Sequence, residues 1–230
     1  MNPDTCSTLR RNGRVAGALY LVMVLAGMFC LAYVPQRAGG SFVDAASHQG
    51  LFRAGIAAFL VMQVAFLLLP FALYRVLGDI NRCAAALMVA LAAISVPIGL
   101  VAVTHRMEAL SLLGHATDGA AAAMEAAFAQ CMQRYGLGLR IASLFWGLWL
   151  LPFGWLVLRS ARIPRVLGLL LVLGGIGYVV QVFGGLLVPG FAESSLIRYV
   201  RLPAAIGEIG SCLWLLMFGA RTGARRNSDN

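Results

Sequence analysis

The chain has 230 residues, 60% of them apolar and 12% charged, with a mean hydropathy of +0.84. A water-soluble domain carries about a quarter of its residues as charges, so this composition excludes a soluble globular protein and places the chain in a bilayer. The net charge is +9, but the 18 basic residues, all arginine, stand at the ends of apolar runs instead of on one polar face, which excludes a nucleic-acid partner and reads as a topology signal.

The first apolar run, Val15 to Val34, follows Arg10, Arg11 and Arg14. At 20 residues it is too long for the apolar core of a secretory signal and no small-residue cleavage site follows, so a retained anchor is predicted. Further spans are predicted at Ala54 to Tyr74, Cys83 to Thr104, about Leu139 to Leu158, Val166 to Val188 and Leu202 to Gly219. Pro164 and Pro203 are read as helix starts and Pro189-Gly190 as the end of the fifth span, while Pro70, Pro97 and Pro152 fall inside spans. The fold class is therefore all-α: a polytopic bundle of six transmembrane helices over residues 14–220, after a cytoplasmic segment 1–13 and before a disordered cytoplasmic tail 221–230.

The longest polar connection runs from His105 to about Gly138, between the third and fourth spans. Ala120, Met124, Phe128, Met132 and Tyr135 recur there at helical spacing beside Glu125, Gln130 and Gln133, which predicts an amphipathic helix from Asp118 onward. It lies over the outer mouth, rests in the headgroup region or lengthens the fourth span. Arginine placement sets the orientation: with the N-terminus inside, eleven of the 18 fall in cytoplasmic segments and seven, Arg37, Arg53, Arg106, Arg134, Arg140, Arg198 and Arg201, fall outside. Both termini are then cytoplasmic.

Five cysteines, Cys6, Cys30, Cys83, Cys131 and Cys212, show neither C-x-x-C spacing nor a histidine at ligand distance, so no metal site is expected; a Cys30–Cys131 bond is left open. No nucleophile elbow, zinc-protease, phosphate-loop or haem-attachment motif occurs, so no catalytic residue and no cofactor is assigned.

Several strings carry a resemblance: Arg14-Val15-Ala16-Gly17-Ala18-Leu19-Tyr20, Gly50-Leu51-Phe52-Arg53-Ala54-Gly55, Ile163-Pro164-Arg165-Val166-Leu167-Gly168, Gly177-Tyr178 and Leu202-Pro203-Ala204-Ala205-Ile206-Gly207-Glu208. In this order and spacing the chain resembles the bacterial domain-of-unknown-function family 4386, a group of six-helix membrane proteins. The resemblance implies a multi-pass protein of the bacterial cytoplasmic (inner) membrane and brings no established activity. Where it would imply acidic residues in the second span this chain has Phe59 and Phe66, and where it would imply a His-Gly-Tyr-Gly-like string the chain has Gln133-Arg134-Tyr135-Gly136.

Inside the predicted spans the residue that most demands a partner is Glu208, since a carboxylate in hydrocarbon is costly by a few kcal/mol. It lies six residues past Leu202, roughly 9 Å below the predicted outer boundary. Arg201, Ala204, Ala205, Glu208, Ser211 and Cys212 form one stripe of the last span, and Gly174, Gly177, Tyr178, Gln181 and Gly185 form one of the fifth; small residues on both predict that the two faces meet. Arg53, Arg140, Gln63 and His105 join Glu208, Tyr178 and Gln181 in a predicted polar cluster in the outer half of the membrane. Two readings of it stay open: an outward-facing pocket that binds or passes a small or lipid-like molecule, or a buried ion pair of Glu208 with Arg53 or Arg140 that fixes helix register. His48, His105 and His115 are read as loop or boundary residues. From other functional classes, the chain is a structural or signalling subunit whose glycine-rich fifth span and basic inner loops meet a partner, or an enzyme acting on lipid headgroups with Glu208 or His105 as general base. Membrane lipid is the expected surrounding partner, and a protein partner or homo-oligomer is left open.

Overall fold

The computed structural model describes residues 3–114, 121–191 and 196–220, with backbone alone at 3–6, 121 and 196–201. His115, Asp118, Ala120 and the tail 221–230 lie outside the described residues. All regular structure among the described residues is helical.

The first apolar run forms α1 (Pro3–Met28), which passes through a π-helical turn (Phe29–Tyr33) into α2 (Val34–Ala38). Residues 3–13, expected as a separate segment, are thus helical and continuous with it. The π turn has a local cause. The Val34 amide donates to the Phe29 carbonyl, five residues back, and Pro35 has no N–H to give, so the Cys30 carbonyl loses both of its usual helical donors. The short α3 (Phe42–Ser47) follows, capped by Ser41, whose hydroxyl accepts from the Asp44 amide at 3.1 Å.

Next come α4 (Gln49–Leu77) and α5 (Arg82–Leu113), the latter capped where the Asn81 side chain accepts from the Ala84 amide at 2.9 Å. The third span therefore continues past the predicted end at Thr104. The amphipathic pattern after Asp118 is helical from Ala121, with Phe128 and Tyr135 buried and Glu125, Gln130 and Gln133 exposed. It is the first part of one 40-residue helix, α6 (Ala121–Ser160), whose length of about 60 Å exceeds the ~30 Å of hydrocarbon in a bilayer. The alternative that lengthens the fourth span is the one seen. Pro164 and Gly190, at φ +77°, bound α7 (Arg165–Leu187) as predicted. The last helix, α8 (Leu196–Phe218), begins before Pro203, which lies inside the helix and not at its start. The reason is that regular backbone extends upstream through Arg198 and Arg201.

Among the described residues, five stretches are long and apolar enough to cross a membrane: Ser7–Ala38, Gln49–Leu77, Arg82–Leu113, Ala122–Ser160 and Arg165–Leu187. A further apolar stretch, Leu202–Phe218, is shorter. Large apolar side chains point outward from these helices, among them Val64, Phe71, Val101, Leu169 and Leu186, a surface that hydrocarbon solvates and water does not. The chain is built as a multi-pass membrane protein.

The chain divides into two compact units. The first, Met1–Leu21, Leu68–Ala92 and Leu144–Asn230, is held by backbone contacts at glycine. A methyl group on Gly154 would lie 2.7 Å from the Gly168 carbonyl oxygen and one on Gly175 would lie 2.7 Å from that of Gly147, so α6 and α7 touch main chain to main chain. Gly174 likewise meets Ala204, and Gly207 meets Leu171, which makes α7 and α8 antiparallel neighbours. The predicted meeting of the two small-residue faces is realised, with Gly207 in place of the exposed Ala205. At the end of α4, Arg162 donates to the Val76 carbonyl and to both carboxylate oxygens of Asp79, one at 2.6 Å, while its own carbonyl accepts from the Trp214 indole at 3.2 Å. These hydrogen bonds from the guanidinium hold the Asp79 carboxyl below its ordinary range.

The second unit, Val22–Leu67 and Ala93–Ser143, has one such close approach, Gly138 of α6 on Ala102 of α5, and a larger share of aromatic contacts. Phe128 packs against Phe42 and Phe52 at 5.7 and 6.0 Å between ring centroids, and Phe59 meets Tyr135 edge-on at 6.1 Å.

Candidate functional site

Each unit contains one charged side chain type that apolar helices do not ordinarily carry. In the glycine-packed unit it is Glu208. It sits twelve residues into α8, roughly 18 Å along a helix of 23 residues, and so at mid-helix instead of near the predicted boundary. It is half-buried, and Tyr20 donates its hydroxyl to Oε1 at 3.4 Å. Tyr20 itself is fully buried and lies 6.4 Å from both Trp149 and Phe153, which stack on each other at 5.4 Å. One turn further, the buried Ser211 hydroxyl has no hydrogen-bond partner among the described residues, and Cys212 donates its thiol to the Gly17 carbonyl at 3.7 Å. The result is a carboxyl group with one long hydrogen bond, surrounded by rings and small residues.

Of the predicted partners, Tyr178 and Gln181 belong to this unit and Arg53, Arg140, His105 and Gln63 belong to the other. The antiparallel register, Gly174 on Ala204 and Gly207 on Leu171, sets Glu208 level with about Leu170. Gln181 is then about 16 Å further along the axis, close to the end of α7, and its buried Oε1 has no partner among the described residues. Tyr178 packs its side chain over Gly147 of α6. Of the glycines of α7, Gly168 and Gly175 meet α6 and Gly174 meets α8, while Gly185 has nothing within 4 Å of an added methyl group. A groove of about 820 Å³ along α1 is lined by Ser7, Arg10, Arg11, Arg14, Val15, Ala18 and Leu216 and does not include Glu208.

In the aromatic unit, Arg53 and Arg140 are exposed and His105 is bonded to Glu108 at 3.1 Å. Gln63 is buried between helices, as intramembrane amides are expected to be: its amide donates to the Val96 carbonyl at 3.1 Å, and Gly99 leaves the room for it. Cys30 and Cys131 are both free thiols. Among the described residues no group of three metal-ligating side chains occurs.

The residue that sequence reasoning missed is Arg106, read as a boundary charge. It is 1% exposed, with Phe52 at 4.7 Å and Tyr135 at 5.4 Å on its guanidinium. A signal was present. Ala85, Met88, Ala92, Ser95, Gly99 and Ala102 alternate in steps of three and four along α5, all buried, and the next positions of that stripe are Arg106, Ala109 and Leu113.

No curated protein and no solved structure matches the chain. The family model described as a domain of unknown function, DUF4386, matches residues 15–219, and the protein belongs to that family.

Proposed function

We propose that the protein crosses the bacterial cytoplasmic membrane six times, with both termini in the cytoplasm, and binds or passes a small or lipid-like molecule through a pocket near Glu208 that opens to the outer side. The last of the six crossings is α8, whose 23 residues reach about 35 Å although its most apolar part is shorter. The observation that carries the reading is the state of Glu208: an acidic group at mid-helix among apolar residues, half-buried, with a phenol 3.4 Å away as its hydrogen-bond donor. A carboxyl group accepts up to about four hydrogen bonds, so one weak donor leaves it short of partners. A ligand bearing a hydroxyl or amine would supply the missing donors, and the rings of Trp149 and Phe153 beside Tyr20 suit an apolar body.

Native mass spectrometry of the protein purified in a non-ionic detergent tests this. A retained adduct of defined mass that disappears in Glu208→Gln supports the reading, and a bare protein mass, or an adduct indifferent to the substitution, refutes it. Topology has a separate test. A reporter active only outside the cytoplasm, fused after Arg226, is expected to stay silent, and activity there would overturn the orientation.

A further inference from the structure

Arg106 has a permanent charge and almost no contact with solvent. Among the described residues its surroundings supply partial charges only. Nη1 faces the Cys30 carbonyl at 3.5 Å, the oxygen that the π turn and Pro35 leave without a helical donor, and the rings of Phe52 and Tyr135 stand beside the guanidinium. Nε and Nη2 make no hydrogen bond of full geometry among the described residues, and the Tyr135 hydroxyl stands near the guanidinium without one as well. These two nitrogens share one edge of the guanidinium, with N–H bonds that point the same way. That edge is the fork that matches the two oxygens of a carboxylate or a phosphate. On the α4 side the chain has Gly55, where a methyl group would come within 3.2 Å of Nη2 and 2.9 Å of the Val34 side chain, so the α4 backbone and an apolar side chain border the fork there.

We propose that the Nε/Nη2 edge of Arg106 binds the acid group, carboxylate or phosphate, of an amphiphilic molecule drawn from the lipid phase. Leaving a buried charge without a counter-charge is strongly unfavourable, and two parallel charge-assisted hydrogen bonds remove that penalty in one contact. The aromatic walls choose an amphiphile over a free anion. A small hydrated anion would have to shed its water to reach a site 1% exposed, whereas a lipid acid arrives already partly desolvated, with an apolar body that gains from the rings of Phe52 and Phe128. The Arg106 site uses a different residue in a different unit and does not rest on the reading of Glu208.

The test uses the full-length protein in non-ionic detergent, with thermal unfolding and native mass spectrometry as readouts. Four probes are added separately: palmitate, methyl palmitate, a phosphatidic acid and inorganic phosphate. Palmitate, phosphatidic acid or both should raise Tm and form a one-to-one adduct, while methyl palmitate and inorganic phosphate should do neither; which acid responds names the source of the oxyanion. Arg106→Gln should weaken acid binding at least about ten-fold, the loss of roughly 1.4 kcal/mol, and Arg106→Lys, which keeps the charge and loses the fork, should fall between. Equal responses to palmitate and its methyl ester, an inorganic phosphate effect as large as that of the lipids, or unchanged affinity in Arg106→Gln would each overturn the proposal. If Arg106→Gln does not fold, the acid and ester comparison on the unaltered protein decides the matter alone.

Discussion

The unit that holds Glu208 and the unit that holds Arg106 differ in the balance of glycine and aromatic contacts between their helices. In the first, glycines let main chains touch, at Gly147 with Gly175, Gly154 with Gly168 and Gly174 with Ala204, and the contact geometry has little room to change. In the second, Gly138 meets Ala102 in this way, and the rings of Phe42, Phe52, Phe59, Phe128 and Tyr135 fill the other contacts. Their unmet polar groups also differ in sign. Glu208 has one long hydrogen bond, from Tyr20, and Nε and Nη2 of Arg106 have no acceptor among the described residues. The lesson is that the two polar groups place different demands on any ligand, a donor group in one case and an acid in the other.

That contrast is broken most severely at Gly174. A methyl group there would lie 2.6 Å from the Cβ of Ala204 and closer still to its backbone, so Gly174→Ala should destabilise the protein by about 2–4 kcal/mol. Gly136 on α6 in the aromatic unit has nothing within 4 Å of an added methyl group, so Gly136→Ala should be neutral or stabilise by up to about 1 kcal/mol through helix propensity. Thermal unfolding of the two variants in detergent measures both, and equal losses would remove the distinction between the units.

A smaller effect is expected at Phe52, which is buried and stands against the guanidinium of Arg106. Phe52→Leu keeps most of the apolar volume and loses the ring face, which should cost about 1–2 kcal/mol in denaturant unfolding. It should also weaken the response to added palmitate, because the ring that meets the apolar body is lost.

The smallest effect is that of pH at Asp79. Its carboxyl is held below the ordinary range by Arg162, so the pair contributes fully above the unfolded value, near pH ~4, and the contribution is lost as pH falls from there through the folded value. Because the Asp79 side chain is 62% exposed, solvent screening keeps this below about 1 kcal/mol. Asp79→Asn should flatten the acid limb of a stability profile by that amount and leave neutral pH almost unchanged in slope.

Helix ends that depend on local chemistry were legible in the sequence. Pro164 and Pro189-Gly190 bound α7 where their backbone restrictions place them, and the small-residue faces of α7 and α8 announced their contact. Pro203 misled because a proline starts a helix only where nothing upstream is helical, and the backbone of α8 is already regular from Leu196. Glu208 stood out as an acid in an apolar run, but its partner Tyr20 is 188 residues away, and no periodicity connects α1 to α8. Arg106 was hidden for a different reason. An arginine after an apolar run reads as a boundary charge, and only the continuation of α5 to Leu113 turns that position inward on the stripe of Ser95, Gly99 and Ala102.

The central claim is that polar groups which the chain leaves unsatisfied are completed by bound molecules. An experimental density map of the protein as purified from its membrane tests it most directly. Non-protein density within hydrogen-bond distance of Nε and Nη2 of Arg106, and of the Glu208 carboxyl group, is the predicted result. Both groups fully bonded to the chain's own side chains, with no such density beside either, would contradict it.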